Sequence, residues 1–175
     1  LKDPKIGMVS GKILRWDNVT IDSTGLFLSA YRTAKERGYG KKDQGQFEQP
    51  GYIFGVNGAV AFYRRSMLEK ISEDEEIFDN NFRIFFEDLD IAWRGQNNGW
   101  KAFYTPLAVA CHNRGTSVRK GGFGKKFARR FLKPHLQPDL LKNRYLCIIK
   151  NDKPVDFIKD DKGGSFPCPE ISFIA

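Results

Sequence analysis

Long apolar runs, a cysteine framework and internal repeats are all missing from this 175-residue chain. No apolar stretch approaches the roughly 20 residues that a membrane-spanning helix needs. The opening residues, Leu1-Lys2-Asp3-Pro4, lack the charged start and apolar stretch of a signal peptide. They also lack an initiator methionine, so the expectation is that the chain begins inside a longer protein. Its three cysteines, Cys111, Cys147 and Cys168, are odd in number and far apart. They offer neither zinc spacing nor an obvious disulfide framework, the pattern of a reducing compartment. One triplet, Asn18-Val19-Thr20, matches a glycosylation acceptor, which would matter only in a secreted protein.

What is present describes a globular chain of one domain, or a large part of one, with length enough for a core. Apolar residues make up 41% and aromatic residues 14%, which excludes a disordered chain. The net charge of +8 is unevenly spread. From Arg119 to Lys133 there are seven basic residues and no acid, whereas Glu69 to Asp90 is strongly acidic. A basic block of this kind suits phosphate-bearing partners: nucleic acid, anionic lipid or a diphosphate. It is also read as a solvated loop and helix face.

Strands and helices alternate along the chain, which makes α/β the expected class. Ile6–Val9 and Lys12–Trp16 read as two short strands, Asp17-Asn18 as a turn, and Gly25–Leu28 as a further extended run. Residues 32–51, with four glycines, read as a long loop. Tyr52 to Tyr63 reads as a buried strand interrupted by Gly55 and Gly58, a mark of a bulge or a close ligand approach. Ser66-Met67-Leu68-Glu69 has the form of a capping box opening a short helix. A second helix is expected from about Glu87 to Gly99, followed by a strand from Lys101 to Cys111, bent at Pro106, that delivers His112 at its end. Gly115 to Gly124 reads as a flexible loop, and Leu140 to Ile149 as an amphipathic helix that Pro138 and Asp139 are suited to start.

The stretch that carries chemistry is Phe85-Phe86-Glu87-Asp88-Leu89-Asp90. Asp90 and Arg94 are four apart on a helix and can pair on one surface face. Asp88 lies about 200° around from Asp90 at ~100° per residue, so the two cannot share a partner. Glu87 and Asp88 fall in the first helical turn, where the helix dipole keeps a carboxylate ionised. A fixed, ionised carboxylate at a cleft is what a general base requires. The alternative is that all three acids only cap and solubilise a helix.

Taken together, Phe86-Glu87-Asp88-Leu89-Asp90 with Trp93-Arg94 and Gly99-Trp100, then Tyr104-x-Pro106 and His112-x-x-Gly115, resemble family 2 glycosyltransferases, above all the rhamnosyltransferase-like members. Gly55-Val56-Asn57-Gly58-Ala59 with Phe62–Leu68, Gly11–Arg15, Ile21–Gly25 and Lys142-Asn143-Arg144-Tyr145 match neighbouring segments of that family. The resemblance covers roughly residues 1–151. It implies a glycosyltransferase A-type fold, a Rossmann-like nucleotide-diphospho-sugar transferase, present only in part. The N-terminal nucleotide-binding half, with the family's Asp-x-Asp motif, is lacking from this chain. The implied organisation is residues 1–118 as the C-terminal, acceptor-side half of the catalytic domain, 119–151 as a basic loop and amphipathic helices packing on it, and 152–175 as an irregular tail.

The resemblance further implies an inverting, metal-dependent transfer of a sugar, rhamnose for preference, from a nucleotide-sugar donor to a glycan or lipid-linked acceptor in cell-surface polysaccharide biosynthesis. The chain alone would be inactive. Asp88 matches the catalytic base and Glu87 an orienting acid, with the two roles open to exchange. Asn57 and Gly58 are expected at the sugar site, or else in a plain strand bulge. Trp93 and Arg94 are expected at the substrate, as are Arg114 and Arg119 on the loop that follows His112. His112 matches a ligand to Mn2+ or Mg2+; it is otherwise an ordinary hydrogen-bonded histidine. The basic segment 119–133 suits a peripheral contact with the inner face of the plasma membrane from the cytoplasm, and nucleic acid is not an expected partner. The rival reading is a non-catalytic basic domain that binds or scaffolds at membrane or nucleic acid, or a degenerate family member that supports an active partner.

Overall fold

A computed structural model describes residues 3–73, 76–113 and 133–152. Residues 114–132, which hold Arg114, Arg119 and most of the basic segment, and the tail from residue 153 lie outside the described residues. The chain forms a mixed α/β structure around one five-stranded sheet. Its strands are β1 (Ile6–Arg15), β2 (Ile21–Ser23), β5 (Gly51–Ile53), β6 (Phe62–Tyr63) and β7 (Lys101–His112). A small separate hairpin joins β3 (Leu26–Leu28) to β4 (Ala34–Glu36). Among the described residues three α-helices complete it: α1 (Arg65–Ile71), α2 (Glu87–Asn97) and α3 (Gln137–Asn151).

The sheet runs β2-β1-β7-β5, and β6 pairs with β1 beyond the end of β2. Its centre is the parallel pair β1 and β7, from Ile6 opposite Lys101 to Arg15 opposite His112. The other pairings are antiparallel. Where two short strands were expected, Ile6–Arg15 is one strand, because Ser10-Gly11 runs straight through. A Cβ on Gly11 would stand 2.3 Å from the Ala108 carbonyl oxygen, so only glycine admits β7 there. Opposite it, β7 makes its expected excursion around Pro106: Tyr104 faces Ser10 and Val109 faces Lys12.

Several expectations need correcting. The long loop at 32–51 contains β4, whose partner lies only a few residues upstream. Tyr52–Tyr63 is not one strand: it divides into β5, a 3-10 turn over Gly58–Val60 and β6. The short helix α1 begins at Arg65, with Arg64 as an N-cap whose side chain makes no capping bond and donates instead to the Ile6 carbonyl at 2.8 Å. Glu69 therefore closes no capping box and pairs instead with Arg65 at 2.7 Å.

Helix α2 ends as expected, with Gly99 in the left-handed region at φ +77, where a side chain would be strained. From Leu89 to Gly95 every residue is buried, so α2 is enclosed on all sides instead of lying on the surface. One side packs on the sheet through Ile91 and Ala92, in a cluster with Met8, Ile53, Val56, Met67 and Tyr104. Leu89 and Trp93 join Phe82 and Cys147 of α3 in a second cluster. None of the helices among the described residues is long and apolar enough to cross a membrane.

Candidate active site

The Glu87-Asp88 pair opens α2 after an unusual turn. Phe85 and Phe86 both take positive φ, 69° and 71°. Left-handed backbone costs a residue with a Cβ about 1–2 kcal/mol, and here two bulky aromatics adopt it in succession. The turn persists because Asn143 of α3, wholly buried, donates from Nδ2 to the carbonyls of Ile84 (2.7 Å) and Phe85 (3.0 Å). The Phe86 carbonyl then accepts the first helical bond, from Asp90 N–H at 2.8 Å.

Asp88 emerges beside the turn at Gly58. Its Oδ2 accepts from the Gly58 N–H at 3.0 Å and its Oδ1 from the Leu89 N–H at 2.8 Å. Two backbone donors and the helix N-terminus favour the ionised form. A Cβ on Gly58 would lie 3.3 Å from Asp88 Cβ, so the missing side chain permits this approach. Glu87 differs. Burial pushes its carboxyl up from the ordinary range, and the charge of Asp88 adds to the rise. Its Oε2 is sheltered from solvent with no hydrogen-bond partner. Tyr63 on β6 lies in the same field: burial, then the charges of Asp88 and Glu87, hold its phenol protonated, and its hydroxyl also lacks a partner. At Glu87 desolvation thus works against the first-turn dipole and raises the carboxyl above its ordinary range.

Asn57 is buried next to Gly58. Its Oδ1 caps the 3-10 turn through the Ala59 N–H at 2.8 Å, and its Nδ2 donates to the Glu36 carboxylate. Glu36 also accepts from the Ser23 hydroxyl. A polar line thus runs from Asp88 through Gly58 and Asn57 to Glu36 on β4 and Ser23 on β2. The next residue is Asp22, the bulged position of β2: Ile13 pairs with Ser23 but Leu14 with Ile21. The bulge turns Asp22 towards β7, where its Oδ2 lies 2.9 Å from His112 Nδ1 and its Oδ1 3.6 Å from Arg15 Nε. Asp22 is fully buried and His112 partly exposed.

Trp93 and Arg94 do not join this line. Trp93 is 6% exposed and meets the Phe54 ring edge-on at 6.3 Å between centroids. Arg94 is also 6% exposed and Asp90 1%, so the pair expected at the surface is interior. Its guanidinium binds Asp90 Oδ2 at 2.7 Å and the carbonyls of Ile71 and Ile77 at 2.6 and 2.8 Å. Asp90 Oδ1 in turn accepts from Asn151 Nδ2 at 2.8 Å. Both side chains are engaged with interior partners. The helix period marked Asp90 and Arg94 as neighbours but carries no information on depth.

Among the described residues, no group of three or more His, Cys, Asp and Glu side chains is placed to hold a metal. His112 does fit one coordination position. A buried carboxylate fixes its Nδ1, which leaves Nε2 as the donor, the usual arrangement behind a metal-binding histidine. Asp22, Tyr63 and Asn143 fall inside matched segments but are given no role there, and Glu36 is passed over. Asn143 is also the first of an i, i+4, i+8 row with Cys147 and Asn151. Fold and site together define an α/β protein with an acidic helix start set against a sheet-edge turn. Compared with models of known families, with curated proteins and with solved structures, the chain matches none.

Proposed function

We propose that this chain is the acceptor-side half of an inverting glycosyltransferase of the A-type fold, with Asp88 as its general base. The observation that carries the reading is the contrast between two adjacent carboxyls. Asp88 is held by the Gly58 N–H and its own helix start, while Glu87 is pushed towards its neutral form. Two neighbouring acids with separated protonation tendencies are the mark of an acid–base site.

In the proposed step an acceptor hydroxyl attacks the anomeric carbon of a nucleotide-sugar. The new C–O bond forms as the bond to the diphosphate breaks on the opposite face, and the nucleoside diphosphate leaves with the electron pair. Asp88 takes the hydroxyl proton late in the displacement, when the attacking oxygen has become acidic enough for a carboxylate. Glu87, whose carboxyl is raised by burial, and the Tyr63 hydroxyl orient the acceptor. Bound Mn2+ or Mg2+ would supply charge neutralisation at the diphosphate. His112, oriented by Asp22, would be one of its ligands. The donor sugar proposed is rhamnose, the acceptor a glycan or lipid-linked sugar at the cytoplasmic membrane face, and Arg114 and Arg119 are assigned to the diphosphate.

The test is turnover of the intact protein with a thymidine-diphosphate rhamnose donor, read as release of nucleoside diphosphate. Asp88→Asn should lower kcat at least about a hundredfold, the typical range for a positioned base. Full activity in Asp88→Asn would sink the assignment. Duplex or single-strand binding with a steep salt dependence would favour the basic binding domain instead.

A further inference from the structure

We infer that Asn143 is a positioning residue: from α3 it holds the left-handed Phe85-Phe86 turn and so fixes the Asp88 carboxylate against the Gly58 N–H. The inference deepens the reading of Asp88 as the base and rests on it for its catalytic consequence.

Three observations carry it. First, the buried stripe of α3 carries two asparagines beside Cys147, with Leu146 and Ile148 partly buried at its flanks, while other large apolar side chains of the helix are left outside. Asn143, Cys147 and Asn151 face inward and are buried, whereas Leu141, Tyr145 and Ile149 face outward and are exposed. Hydrogen bonds therefore share with the Cys147 cluster in setting which face docks, and those bonds go to α2 and to the turn that leads into it. Second, the two hydrogens of the Asn143 amide meet two successive carbonyls, Ile84 and Phe85. Its Oδ1 makes no hydrogen bond, so the side chain is present for its donors. Third, the Phe85-Phe86 turn holds no glycine to ease positive φ. Phe86 supplies the first carbonyl of the α2 ladder, so its backbone sets the direction in which the helix starts and where Asp88, two residues on, projects.

The experiment compares four forms of the 175-residue chain by amide NMR across pH: wild type, Asn143→Leu, Asn151→Leu, and Asn143→Leu with Phe85→Gly. Leucine keeps the bulk of asparagine and removes both donors. The Gly58 amide proton reports the contact directly, because it moves as Asp88 titrates. We expect that response to be lost in Asn143→Leu, kept in Asn151→Leu, and partly restored by Phe85→Gly, which removes the steric objection to the left-handed turn. A Gly58 response that survives in Asn143→Leu overturns the inference. Equal loss in Asn151→Leu also overturns it, since a merely structural row would behave that way. Should Asn143→Leu not fold, Asn143→Ser, with one short donor, takes its place: a weakened response supports the inference and an unchanged one overturns it.

Turnover of the intact protein separates this inference from the reading it rests on. Asn143→Leu should lower kcat about tenfold or more, within the range that misplacing a positioned group costs, with KM for the nucleotide-sugar unchanged. If the wild type transfers no sugar while the Gly58 response follows Asn143, the glycosyltransferase reading fails and the positioning role stands.

Discussion

The two sides of α2 are held by different forces. Towards the sheet, Ile91 and Ala92 pack among Met8, Ile53, Val56, Met67 and Tyr104, without directional bonds of their own side chains. Towards α3 the Leu89, Trp93 and Cys147 cluster is joined by polar grips: Asp90 is bound by Arg94 of its own helix, by Asn151 and by Lys150 at 3.4 Å, and the entering turn by Asn143. Lys150 also binds Asp79 at 2.8 Å and Glu73 at 2.9 Å, tying α3 to the acidic segment before α2. Apolar packing is non-directional and tolerates small slides. Hydrogen bonds between buried groups fix rotation and register, and fail sharply when one partner goes. The oily side gives α2 its place; the polar side gives it an orientation, and the acids at its start depend on that.

The sharpest way to break the comparison is Arg94→Ala. It removes the nearest cation from the buried Asp90 carboxylate, leaving Asn151 and the more distant Lys150, and strips two interior carbonyls of their donor. The loss should cost about 3–5 kcal/mol in denaturant unfolding. On the opposite side Ile91→Ala should cost about 2–4 kcal/mol from lost burial and the cavity left behind. The contrast sharpens with conservative changes. Ile91→Leu, near constant in volume, should stay under about 1.5 kcal/mol.

The smallest effect concerns Glu87. Its carboxyl binds a proton more tightly folded than unfolded, because burial raises it. The folded state thus holds more protons than the unfolded one as pH rises past the ordinary carboxyl range. Stability contributed by this group is present in acid and lost as pH rises through the folded value. Glu87→Gln should therefore be more stable than wild type near neutrality, with the gain vanishing below the ordinary carboxyl range of about pH 4. An equal difference at both ends would mean that the glutamate is not desolvated.

Much of the frame was legible because it rests on local signals. The Asp17-Asn18 turn forms as read, with Asn18 at φ 55 and Asp17 accepting from the Val19 and Thr20 N–H groups. The ends of α2 and the bend of β7 at Pro106 follow from Gly99 and from the missing N–H of proline. What stayed hidden depends on partners far along the chain. Nothing near Ser10-Gly11 announces that β7 will approach there, and nothing near Asp22 announces a bulge aimed at His112. The site shows the same division. Asp88 and Glu87 were visible as a pair, but their difference comes from Gly58, Tyr63 and Asn143, which stand 30, 25 and 55 positions from Asp88 in the numbering.

The parallel pairing of β1 with β7 has a consequence for how the molecule is made. Ile6 finds its neighbour at Lys101, so the central ladder cannot close until nearly a hundred further residues exist. At the usual pace of synthesis, about 5–20 residues per second, β1 waits roughly 5–20 s for its main partner. During that interval, of its partners among the described strands, only β2 and β6 can cover it, and both pair along the same edge. The opposite edge stays open to other chains, and distant pairings of this kind fold slowly. The birth of this protein is therefore its most aggregation-prone moment, and slowing elongation after β6 would lengthen it.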